Sequence, residues 1–358
     1  MRREDRRYGR RNTQKNRHAL IVSVMLVMIL ACSAGIVSRW IYNQECGVVF
    51  AGSPMHQSVD DESTAGLALQ TASFDLEKIN QAKVKTQTLM FEDSFTADGA
   101  YLVDMQGNVL YEKNADKQLY PASMTKIMTA LVAVENGNLD DTVTVGQLEG
   151  CYEEGSKLTY LEEGDVCTLR DLLYATLLYS ANDAATAVAV YIGGDVATFA
   201  GMMNQKAAEL GANNTHFANP HGLHNEDHYT TPRDVSLIMR AATENATVME
   251  IMQTPTYSCT ITRENGGDNE HHYTWNSTNV YMRGTDTLEG IQYICGKTGY
   301  TGEAGRCLVS YFQLGEESYI SVIMNSKDYA LATKQLAYYK LEPDLLETAV
   351  RTQAQTDS

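Results

Sequence analysis

Residues 120–137 read YPASMTKIMTALVAVENG, and this stretch decides the fold that the sequence predicts. Apolar residues recur at helical spacing over 124–134, and Gly137 is a typical residue just past a helix end. A helix here has Ser123 at its start and Lys126 one turn later on the same face. This spacing suits a serine nucleophile with an adjacent base. Taken alone, however, such a pair is more often a serine that caps the helix and a lysine exposed to solvent.

Two further short motifs follow along the chain. Ser180-Ala181-Asn182 lies at a polar break between two apolar segments, 171–179 and 183–191, that predict helices. Taken alone, this break is equally well an ordinary Asn turn. Lys297-Thr298-Gly299 ends a predicted strand over 291–299, where the glycine lets a substrate backbone come close. The ordered set S-x-x-K, S-x-N and K-T-G is far rarer by chance than any one member of it.

Strand-like runs occur towards both ends of this region, with the helical segments between them. The predicted strands are 100–103, 109–111, 291–299, 306–314 and 319–324, and a closing helix is predicted over Leu331–Tyr339. A turn at 105–108 joins the first two strands into a hairpin. This order predicts an α/β fold of the α+β kind, with one antiparallel sheet flanked by helices.

The N-terminal segment predicts a membrane anchor. The first 17 residues carry eight Arg or Lys against two acids, and Ala19–Val37 is then free of charge for 19 residues. At about 1.5 Å per residue this helix crosses a hydrocarbon core, and the basic flank stays in the cytoplasm. Two alternatives remain open: a signal peptide cleaved among the small residues at 31–34, or a lipid-modified Cys32.

The predicted organisation therefore has five parts. They are a basic cytoplasmic tail (1–17), a transmembrane signal-anchor (18–42), an extracellular stalk (43–93), a catalytic domain (94–330), and a closing helix with a C-terminal tail (331–358). We expect a single-pass protein of the cell membrane whose catalytic domain is extracytoplasmic, or a secreted protein if the signal is cleaved. The net charge of −17 leaves −23 beyond the basic tail, which argues against a nucleic-acid partner.

Seven cysteines suit an exported protein with some disulfides. A hairpin centred near residue 301 places Cys295 opposite Cys307, so we predict a bridge there, with two buried free thiols as the alternative. Cys151 and Cys167 form a second candidate pair. No metal site is predicted, because Pro220 and the glycine after His221 oppose the helix that would bring the neighbouring histidines together.

The motifs and their surroundings resemble the serine-type D-alanyl-D-alanine carboxypeptidases, the low-molecular-mass penicillin-binding proteins. The resemblance covers roughly Thr96 to Ser326. Its signature stretches are YPASMTK (120–126), LYSANDAA (178–185), NTHF (214–217) with HGL (221–223), TPRD (231–234) and GKTGYT (296–301). It implies a fold like that of penicillin-binding proteins and serine β-lactamases, with a helical subdomain beside the sheet.

The resemblance also implies roles for residues. Ser123 is the acylated nucleophile, Lys126 its general base, and Ser180 relays protons. The backbone amides of Ser123 and Tyr300 form the oxyanion hole. The implied substrate-binding residues are Asn182, Lys297, Thr298, Gly299, Tyr300 and Thr301. No cofactor and no metal are implied.

The chain departs from the family pattern in three places. Ala181 stands where class A β-lactamases have Asp, and no E-x-x-L-N stretch supplies their deacylating glutamate. The arginine that the family often carries after its last strand is missing, and Lys327 is the cation nearest to that place. About 30 residues follow Ser326, so we expect the N-terminal anchor to replace the β-rich tethering domain that many members carry there.

The expected function is removal of the terminal D-alanine from peptidoglycan stem peptides through an acyl-enzyme on Ser123. The expected partners are peptides ending in D-Ala-D-Ala, β-lactam antibiotics as inhibitors, and the membrane. A serine β-lactamase is the alternative enzyme, disfavoured by the missing glutamate. A non-catalytic β-lactam sensor or wall-binding relative is the alternative of another class, disfavoured because every catalytic position is filled.

Overall fold

The computed structural model describes residues 95–263, 269–288 and 290–337. These residues belong to a compact unit that begins at Asp75. The predicted tail and anchor, the predicted stalk and the C-terminal tail lie outside the described residues. Their predictions are therefore untested.

Nine strands and six regular helices form the described part of the chain. The strands are β1 (Gly99–Asp104), β2 (Val109–Lys113), β3 (Thr142–Thr144), β4 (Val166–Thr168), β5 (Thr256–Thr262), β6 (Glu270–Asn276), β7 (Gln292–Thr301), β8 (Gly305–Leu314) and β9 (Glu317–Ser326). The helices are α1 (Lys126–Asn136), α2 (Leu169–Tyr174), α3 (Asn182–Gly193), α4 (Val196–Glu209), α5 (Pro232–Glu244) and α6 (Ala246–Gln253). Residues 329–337 are also helical, two residues earlier than the predicted start of the closing helix.

The main sheet confirms the predicted α+β architecture. Its strands are antiparallel in the order β2-β1-β9-β8-β7, so the first hairpin of the domain pairs with the last strand. The strand β7 lies at one edge of this sheet. Each predicted strand is present, within a few residues of its predicted bounds.

A second sheet was not predicted. Four antiparallel strands in the order β3-β4-β5-β6 form it, so the expectation of one sheet was wrong. Two of these strands have only three residues, too short for a periodic pattern in the sequence. The other two alternate exposed polar residues with buried or half-buried ones, a period of two that predicts strands, and the sequence analysis missed it.

Side chains cap the first turns of two of the helices. Thr168 and Asp171 form a reciprocal capping box at the start of α2, and Thr231 caps α5 with Pro232 as its first residue. The predicted second helix changes to a π-helical turn over Ala175–Tyr179. The helices α4, α5 and α6 were absent from the sequence-based prediction.

The predicted disulfides are absent. Thr301 pairs with Gly305, so the β7–β8 turn is centred two residues later than expected. As a result Cys295 faces Tyr311 rather than Cys307, and both thiols are free and buried. Cys151 and Cys167 are also free, so the second candidate pair was wrong too.

The length and apolar character of the described helices decide whether any of them could span a membrane. None of them alone is long and apolar enough to span a bilayer. The helices α3 and α4 meet the length and composition requirement only as a pair, across a bend of 85°. The first half of α3 is buried in the core of the protein.

Candidate active site

The three motifs meet at one cavity of about 380 Å³. Ser123 lies on a 3₁₀ turn, Ala122–Thr125, immediately before α1. Ser180 ends the π-helical turn, and Thr298 and Gly299 lie on the edge strand β7. All four residues line the cavity, so the structure brings the sequence-predicted site together.

The amine of Lys126 is held by three oxygen atoms. Its Nζ lies 2.9 Å from Ser123 Oγ, and it donates to Asn182 Oδ1 and to the carbonyl oxygen of His221, each at 2.7 Å. The amide oxygen and the carbonyl oxygen can only accept. A neutral amine has two N–H donors for them, and its lone pair then faces the hydroxyl of Ser123.

Lys126 is fully buried, and this burial is the main reason that its pKa lies well below that of free lysine. The positive charge of Lys297 lowers the pKa further, whereas the negative charge of Asp183 opposes the shift. A lysine with a depressed pKa is a free base nearer neutral pH, as proton abstraction requires.

Lys297 organises the second motif. Its Nζ donates to Ser180 Oγ at 2.8 Å and to the carbonyl oxygen of Thr298 at 3.0 Å. Burial lowers the pKa of Lys297 to about 7. Ser180 has left-handed backbone angles (φ 68°, ψ 32°), a conformation that is strained for a residue other than glycine and recurs at functional sites.

Two glycines fit closely against the turn that carries Ser123. A Cβ on Gly299 would lie 2.9 Å from the Pro121 carbonyl oxygen and 3.1 Å from the Ser123 nitrogen. A Cβ on Gly222 would lie 1.9 Å from the carbonyl oxygen of Ala122. Ala122 itself has a positive φ of 48°. Gly299 therefore lets β7 approach the turn that carries Ser123, whereas the sequence analysis assigned that space to a substrate.

The segment 153–161 forms the wall beside Asn182. The carboxylate of Asp183 accepts hydrogen bonds from the backbone N–H groups of Thr159 and Leu161, at 3.0 and 3.2 Å. The N–H of Asn182 donates to the Lys157 carbonyl oxygen at 2.8 Å. The sequence analysis assigned no role to this segment, because these bonds join residues more than 20 positions apart.

The remaining predicted binding residues surround the end of β7. Thr298 Oγ1 lies 2.7 Å from Thr278 Oγ1, and Thr301 Oγ1 accepts from the Ala304 N–H at 3.0 Å. Tyr300 is 65% exposed, and the guanidinium carbon of Arg306 lies 5.4 Å from the centre of its ring. Arg306 lines the cavity, whereas Lys327 is not among the described residues that do so. The sequence analysis missed Arg306 and Thr278.

Two histidines of the loop after α4, His221 and His228, are buried. His228 accepts from the Ala218 N–H at Nδ1, and its Nε2 lies 2.8 Å from Thr125 Oγ1. Burial lowers the pKa of both His221 and His228 to about 3, so both are neutral near neutral pH. Among the described residues, no group of three His, Cys, Asp or Glu is placed to hold a metal ion.

Comparisons with known proteins identify relatives of this chain. The sequence matches the D-alanyl-D-alanine carboxypeptidase family over residues 83–328. It is 34% identical to the D-alanyl-D-alanine carboxypeptidase of Streptomyces sp. (strain K15) over 251 residues, which cover 67% of this chain and 84% of that protein. It is also 34% identical to D-alanyl-D-alanine carboxypeptidase DacF of Bacillus subtilis over 234 residues, 64% of this chain but only 57% of the relative's length.

Solved structures show the same fold. The Streptomyces K15 DD-transpeptidase superposes with a TM-score of 0.63 at 32% identity, covering 70% of this chain and 98% of that one. A D-alanyl-D-alanine carboxypeptidase from Mycobacterium tuberculosis superposes with a TM-score of 0.60 at 27% identity, covering 69% and 91%.

Proposed function

The chain belongs to the D-alanyl-D-alanine carboxypeptidase family, and from this premise we propose that it removes the terminal D-alanine from peptidoglycan stem peptides. The reaction proceeds through an acyl-enzyme on Ser123, and β-lactam antibiotics acylate the same hydroxyl. One observation carries this proposal: the buried amine of Lys126 has two fixed acceptors for its N–H bonds and Ser123 Oγ at its third position.

Acylation begins when Lys126 takes the proton from Ser123 Oγ, which attacks the carbonyl carbon of the penultimate D-alanine. The Oγ–C bond forms, and charge on the carbonyl oxygen is stabilised by the N–H groups of Ser123 and Tyr300. The C–N bond then breaks. Ser180, which Lys297 holds at 2.8 Å, passes its proton to the leaving nitrogen, and the proton that Lys126 took from Ser123 is returned to Ser180, so both groups regain their starting protonation. Water repeats these steps at the ester and releases the shortened peptide.

The edge position of β7 supports binding of an extended peptide. An edge strand has unpaired backbone N–H and C=O groups, and a peptide can add beside it as a further strand. In this role Thr298, Gly299, Tyr300 and Thr301 bind the substrate along the strand. Asn182 orients it from the opposite side.

D-alanine release from a pentapeptide ending in D-Ala-D-Ala, together with mass analysis of penicillin-labelled protein, tests this function. The wild-type protein should release D-alanine and carry one penicilloyl group on Ser123. Ser123→Ala should abolish both signals, whereas Ser258→Ala, which changes an exposed serine of β5 outside the cavity lining, should keep them. A stable adduct on Ser180 would overturn the assignment of the nucleophile.

We also propose that residues 18–42 anchor the protein in the cell membrane with its catalytic domain outside. The basic flank and the 19 uncharged residues after it support this location. The full-length protein should stay in the membrane pellet after an alkaline carbonate wash and should keep its first 42 residues. A soluble protein whose N-terminus begins after residues 31–34 would contradict the anchor and indicate a cleaved signal.

A further inference from the structure

Tyr160 is an exposed aromatic residue in the segment 153–161, the wall of the cavity beside Asn182. Its side chain is 76% exposed, more than any other large apolar side chain in the described part of the chain, and Tyr152, just before the segment, is 68% exposed. Within the described residues, neither ring stacks on another ring or lies beneath a cation. Both rings are therefore free to contact a ligand.

The backbone of Tyr160 is strained. Among the described residues other than glycine, five have a positive φ, and two of these are asparagines, which tolerate it. Two others are Ser180 of the second motif and Ala122 of the turn that carries Ser123. The fifth is Tyr160, with a φ of 61°. A bulky residue in this conformation costs free energy that glycine does not, and such strain clusters at functional sites.

Hydrogen bonds on both sides hold Tyr160 in this conformation. The N–H groups of its two neighbours in the chain donate to the buried carboxylate of Asp183. Its own carbonyl oxygen accepts from Arg263 Nη2 at 3.1 Å. Arg263 is held in turn by the buried carboxylate of Asp165, through two bonds of 2.9 Å. The exposed ring is thus presented on a fixed backbone, which reduces the entropy lost when a ligand binds.

The groups around the two tyrosines suit a hydroxyl-rich, uncharged ligand. Glu153, Glu154 and Glu163 are exposed carboxylates within three positions of a tyrosine. The one cation of the segment, Lys157, lies over the Tyr179 ring. Carboxylates accept hydrogen bonds from hydroxyl groups and repel anions, so a nucleic acid or an anionic lipid surface is disfavoured. A pyranose ring has C–H groups on its faces, which stack on aromatic rings, and hydroxyl groups at its edge.

We propose that Tyr152 and Tyr160 form a docking surface for the glycan strand that carries the stem peptides. This inference rests on the proposed function, because a stem peptide bound in the cavity connects the enzyme to that polymer. The peptide lies along β7 in that function, so the opposite wall is free to contact sugar rings. Glu153 of this wall also lines an adjoining cavity of about 710 Å³, which gives the polymer further room. Docking on the strand raises the effective concentration of stem peptides at Ser123.

The test measures binding of the full chain, held in micelles of a neutral detergent, to glycan strands from which an amidase has removed the peptides. Such strands are not substrates, so binding does not depend on turnover. The variants are Tyr160→Gly, Tyr160→Trp, Tyr152→Ala and Tyr191→Ala. Tyr160→Gly removes the ring and keeps the backbone, because glycine adopts a positive φ without strain. Tyr191 is the matched control, a tyrosine of α3 that is 39% exposed and lines neither cavity.

The wild type should bind the stripped strands. Tyr160→Gly and Tyr152→Ala should each weaken binding by about 10-fold, as expected for the loss of an aromatic ring that anchors a ligand. Tyr160→Trp should keep the affinity, because it keeps a ring, and Tyr191→Ala should bind as wild type. Absence of binding by the wild type, or wild-type affinity in either variant that lacks a ring, would overturn the proposal.

A second measurement separates this proposal from the proposed function. D-alanine release from a free pentapeptide is compared with release from pentapeptides still attached to the glycan. Tyr160→Gly should lower the rate on attached peptides, relative to the free peptide, by about 10-fold and mainly through KM. If the wild type releases D-alanine from neither, the peptidase function fails, and binding to the stripped strands still decides the docking surface.

A third measurement distinguishes the glycan from a membrane as the ligand of this surface. Tetranitromethane nitrates exposed tyrosine rings, and peptide mapping reports the rate at Tyr160. In protein reconstituted into vesicles of phosphatidylethanolamine and phosphatidylglycerol, Tyr160 should react as fast as in micelles, and added stripped strands should slow the reaction. Protection by the vesicles in the absence of glycan would show that the membrane covers this surface and would overturn the proposal.

Discussion

Two walls of the cleft place polar groups beside Ser123. The sheet wall consists of residues 297–301 of β7. The helical wall consists of Ser180 to Asp183 and the segment 153–161. The sheet wall is a regular strand, positioned against the nucleophile turn by the absence of a side chain at Gly299. The helical wall is irregular, with a π-helical turn, a left-handed serine and a loop bound to the Asp183 carboxylate. Close backbone packing tolerates little added volume, whereas a network of polar contacts is sensitive to a change of charge.

The largest expected effect concerns the amine that both walls surround. Lys126→Arg should lower the rate of penicillin acylation by about 10³-fold, because arginine stays protonated and cannot act as a base. Lys157→Arg changes a lysine of the helical wall that does not contact Ser123, and it should acylate normally. Stopped-flow labelling measures both rates. Acylation of Lys126→Arg at the wild-type rate would refute the role of the base.

A smaller effect should follow from added volume in the sheet wall. Gly299→Ala pushes a methyl group against Pro121 and the Ser123 nitrogen, so the nucleophile must move, and acylation should slow by about 10- to 100-fold. Gly302→Ala, in the turn after β7, has open space for its methyl group and should acylate as wild type. Circular dichroism checks that both variants are folded. Equal rates for the two variants would show that this close approach does not position Ser123.

Removing one charge from each wall should shift the pH dependence of acylation in opposite directions. Lys126 is active when deprotonated, so the acid limb of the rate profile follows its pKa. Lys297→Gln removes a charge that lowers this pKa and should move the acid limb to higher pH. Asp183→Asn removes a charge that raises it and should move the limb to lower pH. Shifts of the same sign in both variants would contradict this electrostatic account.

The smallest effect is expected at the cysteines of the sheet. Cys295 and Cys307 are free and separated in register, so no bridge is needed to hold the sheet wall. Peptide mapping without reduction should recover both as free thiols. Cys307→Ala should keep the wild-type acylation rate. A mapped Cys295–Cys307 peptide pair would show that β8 slips by four residues against β7, because Cys295 faces Tyr311 in the register described above.

Local patterns predicted the contact between Ser123 and Lys126 but not the residues that surround it. Ser123 and Lys126 are three residues apart at a helix start, so sequence spacing alone places them on one face. The carbonyl of His221, which completes the environment of Lys126, comes from a loop 95 residues away and has no signature of its own. Arg306 was missed for a related reason, since its position depends on the β7–β8 register. A small error in the turn centre changes every cross-strand neighbour.

The edge position of β7 also bears on the solubility of the protein. An open strand edge can pair with the edge of another molecule and start aggregation. Here the functional part of that edge lies in a cavity of about 380 Å³, bordered by the 153–157 segment and by Gly222 and Leu223. A single extended peptide can enter this cavity. A second sheet cannot, because the strands next to its edge would collide with the residues that border the cavity. The walls that position a substrate thus also protect an exposed edge from self-association.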